Sequence, residues 1–309
     1  MPVSRYNRRI IALLCIGLLL CACTSDSAKK QLKAQAGSYV PKGYSDAAFH
    51  ADSAVGENGL LLDLSAVDKG YVAVSAVADK RLKFQVAFGE TAYNYDLPGD
   101  GTPTVFPLQL GDGTYRLRVM INTEESRYLE LYAQQAEVVL SSEFEPFLRA
   151  SQMVNYKEDS ACVARARELA QSADSESAFM NAVYEYVKNT ITYDYDKAKK
   201  VADGELNDYL PNPDETLQSK TGICFDYAAL VAAMLRSQGI PTKVIMGYVK
   251  DGSVYHAWNM VYLQDRGWVT VNINVPNHKW QPIDLTFAAA GTDEALEGNA
   301  DDYVQRYLY

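Results

Sequence analysis

The stretch KTGICFDYAALVAAMLRSQGIP, residues 220–241, decides how the C-terminal half of the chain is interpreted. Thr221 is a suitable N-cap, because its side chain can accept a hydrogen bond from an early N–H of a helix. Cys224 is then the third helical residue, and Gly239 followed by Pro241 ends the helix. The first N–H groups of a helix and its macrodipole favour negative charge. The pattern therefore predicts a cysteine that is stabilised as a thiolate, the nucleophilic form.

A histidine follows on a predicted strand. The segment YHAWNMVYL, residues 255–263, alternates so that His256 and Trp258 share one face. The chain has three histidines, of which His50 lies in a polar N-terminal segment and His278 in the turn PNHK. His256 is therefore the candidate base, although a histidine beside a tryptophan is also typical of a core.

A carboxylate comes third in the chain. Asp284 stands in KWQPIDLTF, between Ile283 and Leu285. A catalytic imidazole needs a carboxylate or amide that fixes its tautomer and stabilises the cation. An aspartate in apolar surroundings also needs a partner, because an unpaired buried charge is costly. Asp284 is the candidate orienting group, and a turn or helix cap is the alternative.

Three blocks of sequence resemble a known family. GICFDYAALVAAMLRSQGIPTKVIMGYV, then HAWNMVYL with GWVTVN, then W..IDLTF closely resemble the bacterial transglutaminase-like superfamily, over roughly residues 155–290. The resemblance implies a papain-like α+β core with helices packed on an antiparallel sheet. It implies a triad of nucleophile Cys224, base His256 and orienting carboxylate Asp284. Many members have HAWNEVY and DPT, whereas this chain has Met260 and Leu285, which leaves the substrate contacts open.

The residue types predict a thioester intermediate and leave open which group accepts the acyl chain from it. If water is the acceptor, the chain is a peptidase or amidase, which we favour from the resemblance. If a lysine amine is the acceptor, the chain is a protein-crosslinking transglutaminase. The N–H of Cys224 is one oxyanion donor, and NDYLPN, residues 207–212, is a candidate region for the second. A surface binding or scaffold protein with a vestigial site is a further alternative. Four aromatic residues either line a cleft or belong to the core: Tyr227, Tyr255, Trp258 and Trp280.

The N-terminus has the pattern of an export signal. Three arginines precede the apolar run IIALLCIGLLL, which is short for a membrane span. Leu20, Ala22 and Cys23 then resemble a bacterial lipoprotein signal, which implies removal of residues 1–22 and lipidation of Cys23. An ordinary cleavable signal is the alternative. We expect a lipid-anchored protein on the extracytoplasmic face of the cell membrane, with peptide or protein substrates at the cell surface.

The remaining cysteines limit other chemistry. Once Cys15 and Cys21 leave with the signal and Cys23 carries lipid, Cys162 and Cys224 remain. They form one disulfide or stay free, and we expect Cys162 to pack within a helix. Neither CxxC nor HxxxH spacing occurs, so we expect no metal and no cofactor.

Composition and patterning divide the rest of the chain. Residues 23–55 are small and polar and predict a flexible tether. Residues 56–142 contain about seven short alternating runs separated by turn signals, which predicts a small β-sandwich-like domain. Residues 143–309 read as helices followed by antiparallel strands, an α+β transglutaminase-like domain. The formal net charge of −10 argues against a nucleic-acid partner, which needs clustered basic residues.

Overall fold

The computed structural model describes residues 39–249, 255–271 and 303–309. Its mixed helix and antiparallel-sheet architecture confirms the predicted fold class. Seven strands form the N-terminal part: β1 (Leu60–Asp63), β2 (Tyr71–Ala76), β3 (Leu82–Phe88), β4 (Thr91–Leu97), β5 (Thr104–Pro107), β6 (Gly113–Glu124) and β7 (Arg127–Val138). They make two sheets of order β1-β2-β5 and β4-β3-β6-β7, with every pairing antiparallel.

The two sheets pack face to face through aromatic side chains. Phe84 on β3 lies 4.6 Å from Phe106 on β5 between ring centroids, and Tyr95 on β4 lies 5.0 Å from Phe106. The alternation of apolar and polar residues in β3 and β6 accounts for this, because it gives each strand one buried and one more exposed face. The N-terminal part is therefore a β-sandwich. The exact domain boundaries at residues 56, 142 and 143 stay predictions.

The C-terminal part surrounds one buried helix. Its helices are α1 (Ala161–Gln171), α2 (Glu176–Thr190), α3 (Tyr195–Ala202), α4 (Pro213–Ser219) and α5 (Cys224–Arg236). Its strands are β8 (Thr192–Tyr193), β9 (Thr221–Gly222), β10 (Thr242–Val249), β11 (Tyr255–Leu263), β12 (Gly267–Val271) and β13 (Tyr303–Leu308). Every residue of α5 after Cys224 is buried, because α1, α2 and α4 contact it together with β10 and β11.

Within the described residues, the four-stranded sheet of the C-terminal part has the order β12-β11-β10-β13 and is antiparallel throughout. Its last strand also joins the two parts of the molecule. The Leu308 N–H donates to the Tyr93 hydroxyl at 3.3 Å, and Gln109 Nε2 donates to the Leu308 carbonyl at 3.2 Å. The Tyr93 ring packs edge-on against Tyr307 and Tyr309. β13 therefore fixes the β-sandwich against the sheet that contains His256.

Part of the predicted tether packs on the body. The Tyr39 ring stacks on Phe179 of α2 at 5.4 Å, and the Lys42 N–H donates to the Gln238 carbonyl at 3.2 Å. Asp63, which is buried, accepts a hydrogen bond from the His50 N–H at 2.7 Å. Residues 39–55 therefore belong to the folded structure. Residues 23–38, with Cys23, lie outside the described residues. None of the helices that the structure describes is long and apolar enough to cross a membrane.

Candidate active site

The helix that presents Cys224 begins later than the sequence predicts. Thr221 is not its N-cap: Thr221–Gly222 pair in parallel with Thr192–Tyr193, and Ile223 is the N-cap, so Cys224 is the first helical residue. The prediction was wrong because the cap is supplied from within the helix. Asp226, its third residue, accepts a hydrogen bond from the Ile223 N–H at 2.7 Å. Cys224 thus lies even closer to the electropositive end of the helix.

The two cysteines in the described part of the chain are both free thiols, so the alternative of a disulfide between them is wrong. Cys162 is completely buried in α1, as expected for a packing residue, and burial raises its pKa well above that of an ordinary thiol. Cys224 is partly exposed. Both of these described cysteines lie in the first turn of a helix, and of the two only Cys224 is accessible to a reagent.

A buried carboxylate lies two residues after Cys224. The Asp226 side chain is fully buried and accepts hydrogen bonds from Lys197 Nζ at 3.1 Å and from the Tyr209 hydroxyl. With the Ile223 N–H, three donors therefore surround it, which is what a buried charge requires. Gly222 lies against the same side chain, since a Cβ on Gly222 would sit 2.7 Å from the Asp226 Cβ.

The strand that contains His256 is bonded directly to this helix. Asn259 Nδ2 on β11 donates to the Ala228 carbonyl of α5 at 3.0 Å and to the Lys243 carbonyl of β10 at 3.2 Å. His256 is the second residue of β11, three residues before this contact, and is partly buried. Its ring stacks on Trp258 at 6.4 Å, which confirms that these two side chains share a face. By alternation, Asn259 points to the other face, toward α5.

Two tyrosines lie on strands that contact α5 or the residues just before it. The pKa of Tyr255, the residue before His256, is raised to about 12, by burial first, then by Tyr307 and Tyr248, and also by Cys224. Burial raises the pKa of Tyr193 on β8 as well, and Cys224 is the next contribution. Tyr193 pairs with Gly222 and β11 contacts α5, so among the described residues both strands lie beside this helix.

The other predicted site residues divide between core and undescribed segments. Trp258 is 4% exposed, and Tyr227, also 4% exposed, donates its hydroxyl to the Ile191 carbonyl at 2.6 Å. Both are core residues, whereas Tyr255 is 46% exposed and is available to line a cleft. Asp284, predicted as the orienting carboxylate, lies outside the described residues, as do Trp280, His278 and Leu285.

Sequence reasoning missed the partners of Asp226. The residue itself stands in the first turn of the helix, and Tyr209 falls within the NDYLPN region that was singled out for another role. Lys197 precedes Asp226 by 29 positions, and no local pattern connects the two. Among the residues that the structure describes, no three His, Cys, Asp or Glu side chains are grouped as metal ligands.

These features define a class: an α+β protein in which a partly exposed cysteine opens the central buried helix beside a histidine-bearing antiparallel sheet. Residues 163–273 match the family model of the transglutaminase-like superfamily. This part of the chain belongs to that superfamily.

The chain is similar to two curated proteins over part of its length. It is 33% identical to a UPF0252 protein of Methanocaldococcus jannaschii over 98 residues, which are 31% of this chain and 26% of the archaeal protein. It is 31% identical to the uncharacterized protein YebA of Bacillus subtilis over 121 residues, which are 33% of this chain and 16% of that protein. The similarity thus covers a minor part of both relatives.

Two solved structures also match over part of the chain. A proposed cysteine protease from Cytophaga hutchinsonii is 15% identical, with 64% of this chain and 68% of that chain covered at a TM-score of 0.36. Red sea bream transglutaminase is 12% identical, with 66% of this chain and 48% of that chain covered at a TM-score of 0.28.

Proposed function

We propose that the protein is a cysteine hydrolase that cleaves amide or peptide bonds through a thioester on Cys224. The observation that supports it most is the position of Cys224. It is a free, partly exposed thiol at the first position of the central helix, where the unpaired N–H groups and the macrodipole stabilise a thiolate. His256 is the proposed base, and Asp284 is the proposed orienting carboxylate.

In the proposed reaction, the Cys224 thiolate attacks the carbonyl carbon and a C–S bond forms. The imidazolium of His256 protonates the leaving amine as the C–N bond breaks, which leaves a thioester and a neutral imidazole. His256 then takes a proton from water and the resulting hydroxide attacks the thioester. The C–S bond breaks to give a carboxylic acid and the Cys224 thiolate beside the His256 imidazolium, and the acid loses its proton to solvent. The Cys224 N–H is one proposed donor to the oxyanion of each step.

The assignment of His256 as the base requires a particular direction of its side chain. Asn259 faces α5, so the alternation of β11 directs the His256 side chain toward the other face. His256 is, however, the second residue of the strand, and Cys224 contributes to the raised pKa of its neighbour Tyr255. The proposal therefore requires the imidazole to reach past the end of β11 to the start of α5.

Hydrolysis is proposed over amine transfer because Cys224 is partly exposed. Water has access to a thioester on such a sulfur, whereas an acyl transferase has to keep water away from its intermediate. Protein crosslinking is the alternative outcome of the same chemistry.

Iodoacetamide labelling followed by peptide mass mapping tests the nucleophile. We expect rapid labelling of Cys224 at neutral pH and none of Cys162, which is the internal control because it is completely buried. His256→Ala should slow the labelling of Cys224 at least tenfold. His50→Ala is the control and should not slow it, because His50 contacts Asp63 in the N-terminal part of the molecule. Equal labelling of both cysteines would favour the alternative of a non-catalytic scaffold.

A second experiment separates water from an amine as acyl acceptor. The protein is incubated with a glutamine peptide library and a fluorescent primary amine. We expect release of ammonia or cleavage of peptides without transfer of the fluorophore, and Cys224→Ala abolishes it. Incorporation of the amine would replace the hydrolase by a transglutaminase while Cys224 stays the nucleophile.

We further propose that Cys23 is lipidated after removal of residues 1–22 and that the enzyme acts on surface peptides or proteins from the extracytoplasmic face of the membrane. The support is the sequence pattern around Leu20 and Cys23. Metabolic labelling of a bacterial host with an alkynyl palmitate tests it. We expect label on the unaltered chain and none on Cys23→Ser, and an unlabelled, secreted chain would refute the anchor.

A further inference from the structure

The buried Asp226 side chain connects three separate segments next to Cys224 through its contacts with Lys197 and Tyr209. Lys197 comes from α3, Tyr209 from the loop between α3 and α4, and Asp226 from the first turn of α5. Lys197 Nζ also donates to the Tyr209 hydroxyl at 3.0 Å and lies 4.8 Å from the centre of its ring. Each of the three side chains therefore contacts the other two, so the cluster is a closed polar network.

The charges of this network bear on the neighbouring thiol. Asp226 introduces a buried negative charge two residues from Cys224, and a like charge at short range disfavours a thiolate. Lys197 places a positive charge 3.1 Å from the same carboxylate. The carboxylate also holds the Ile223 N–H at 2.7 Å, which fixes the backbone immediately before Cys224.

The other titratable groups around this site come from several elements. Burial raises the pKa of Tyr193 on β8 and of Tyr255 on β11, and Cys224 contributes to both shifts, so both phenols stay neutral at pH 6–9. Asp194, the N-cap of α3, and Glu215 on α4 are the further carboxylates around Tyr209. Among the described residues, the Asp226 network is therefore the charged group that is bonded to the backbone immediately before Cys224.

We propose that Lys197 and Tyr209 are positioning residues that act on Cys224 through Asp226: they fix its carboxylate against the Ile223 N–H and balance its charge beside the thiol. This inference rests on the proposed function, because it takes Cys224 as the nucleophile. It extends the site to Lys197 on α3 and to Tyr209 in the loop after α3, which precede Cys224 by 27 and 15 positions. Neither belongs to the proposed Cys-His-Asp set.

The test is the pH profile of iodoacetamide labelling of Cys224 in full-length variants. Lys197→Met leaves the Asp226 charge unbalanced, so the apparent pKa of the thiol should rise by about one unit, the lower end for a nearby charge. Asp226→Asn removes the negative charge and leaves Lys197, so the apparent pKa should fall. The double variant should lie between the two. Lys199→Met, which removes an exposed charge from the same helix, is the matched control and should change nothing.

Opposite signs are the signature of this inference, since a purely structural role would impair both single variants alike. If Asp226→Asn does not fold alone, the double variant replaces it: its apparent pKa should be lower than that of Lys197→Met, because the carboxylate charge is gone. Tyr209→Phe, which removes one donor to the carboxylate, should raise the apparent pKa by less than Lys197→Met does. Shifts of one sign in Lys197→Met and Asp226→Asn, or no shift in Lys197→Met, would overturn the inference while rapid labelling of the unaltered chain upholds the proposed function. Slow labelling of the unaltered chain would refute the proposed function and the inference with it.

Discussion

Replacing Arg236 should destabilise the fold more than any exposed charge does. Arg236 is the last residue of α5 and is completely buried. Its guanidinium donates to three main-chain oxygens, those of Thr242 at 2.8 Å, Arg149 at 2.9 Å and Tyr309 at 3.0 Å. These oxygens belong to the segment before the helices, the start of β10 and the residue after β13. Arg236→Met keeps much of the volume and removes all three bonds.

The magnitude follows from these contacts. A hydrogen bond from a charged donor contributes about 1.5–3 kcal/mol, so the three together contribute about 5–9 kcal/mol. Burying the cation costs several kcal/mol, which the methionine variant no longer incurs. We therefore expect a net loss of about 3 kcal/mol in the free energy of unfolding. With a denaturant slope of about 3 kcal/mol per molar urea, the midpoint should fall by about 1 M.

Urea unfolding followed by tryptophan fluorescence measures this shift. Arg116→Met is the matched control, because Arg116 is exposed and pairs with Glu130 at the surface, where an ion pair contributes at most about 1 kcal/mol. A midpoint for Arg236→Met within 0.3 M of the control, on the order of 1 kcal/mol, would refute the reasoning.

The loss in the free energy of unfolding that Arg236→Met causes should be constant between pH 6 and 9. Burial lowers the pKa of Arg236 to about 10. The unfolded chain therefore binds this proton more tightly, and stability rises with pH only from about pH 10 up to the ordinary pKa of an arginine. Below about pH 9 the guanidinium is charged in both states.

Three further predictions concern the positions of α1, α5 and β11. Asp214 accepts hydrogen bonds from two N–H groups at the start of α1; burial would raise its pKa, but those bonds lower it. Asp214→Ala should therefore lower the stability by about 1–2 kcal/mol at pH 7, as measured by thermal unfolding. This loss should shrink as the pH falls below 4, because the carboxylate is then protonated. An equal loss of stability at pH 3 would contradict this prediction. Gly222→Ala should slow thiol labelling at least tenfold, because the added Cβ would sit 2.7 Å from the Asp226 Cβ, and an unchanged rate would show that the strand can move. Asn259→Leu should lower stability by about 2 kcal/mol, since it removes two buried hydrogen bonds, and a neutral result in urea would show that those carbonyls find other donors.

Local patterns predicted the elements, and long-range pairing decided their details. The end of α5 before Gly239 and Pro241 followed from the local sequence, whereas its start did not, because β8 pairs with Thr221 and Gly222, which had the pattern of a helix start. The sequence pattern also found Cys224 and His256 as candidates. It did not find Lys197, since the pairing with Asp226 exists only after α3 folds back on α5.

The two ends of α5 show why its buried charges matter for a site at its start. The middle of the helix is apolar, and the hydrophobic effect that buries it is not directional. Asp226 in the first turn accepts two hydrogen bonds from other segments and one from the N-cap Ile223, and Arg236 at the last position donates three to other segments. Their signs also match the macrodipole, negative at the N-terminus and positive at the C-terminus. These polar ends, together with the bond from Asn259 to the Ala228 carbonyl, therefore fix the axial position of Cys224 relative to β11. Loosening Arg236 should consequently change the labelling rate of Cys224 from the far end of the helix, in a variant that still folds.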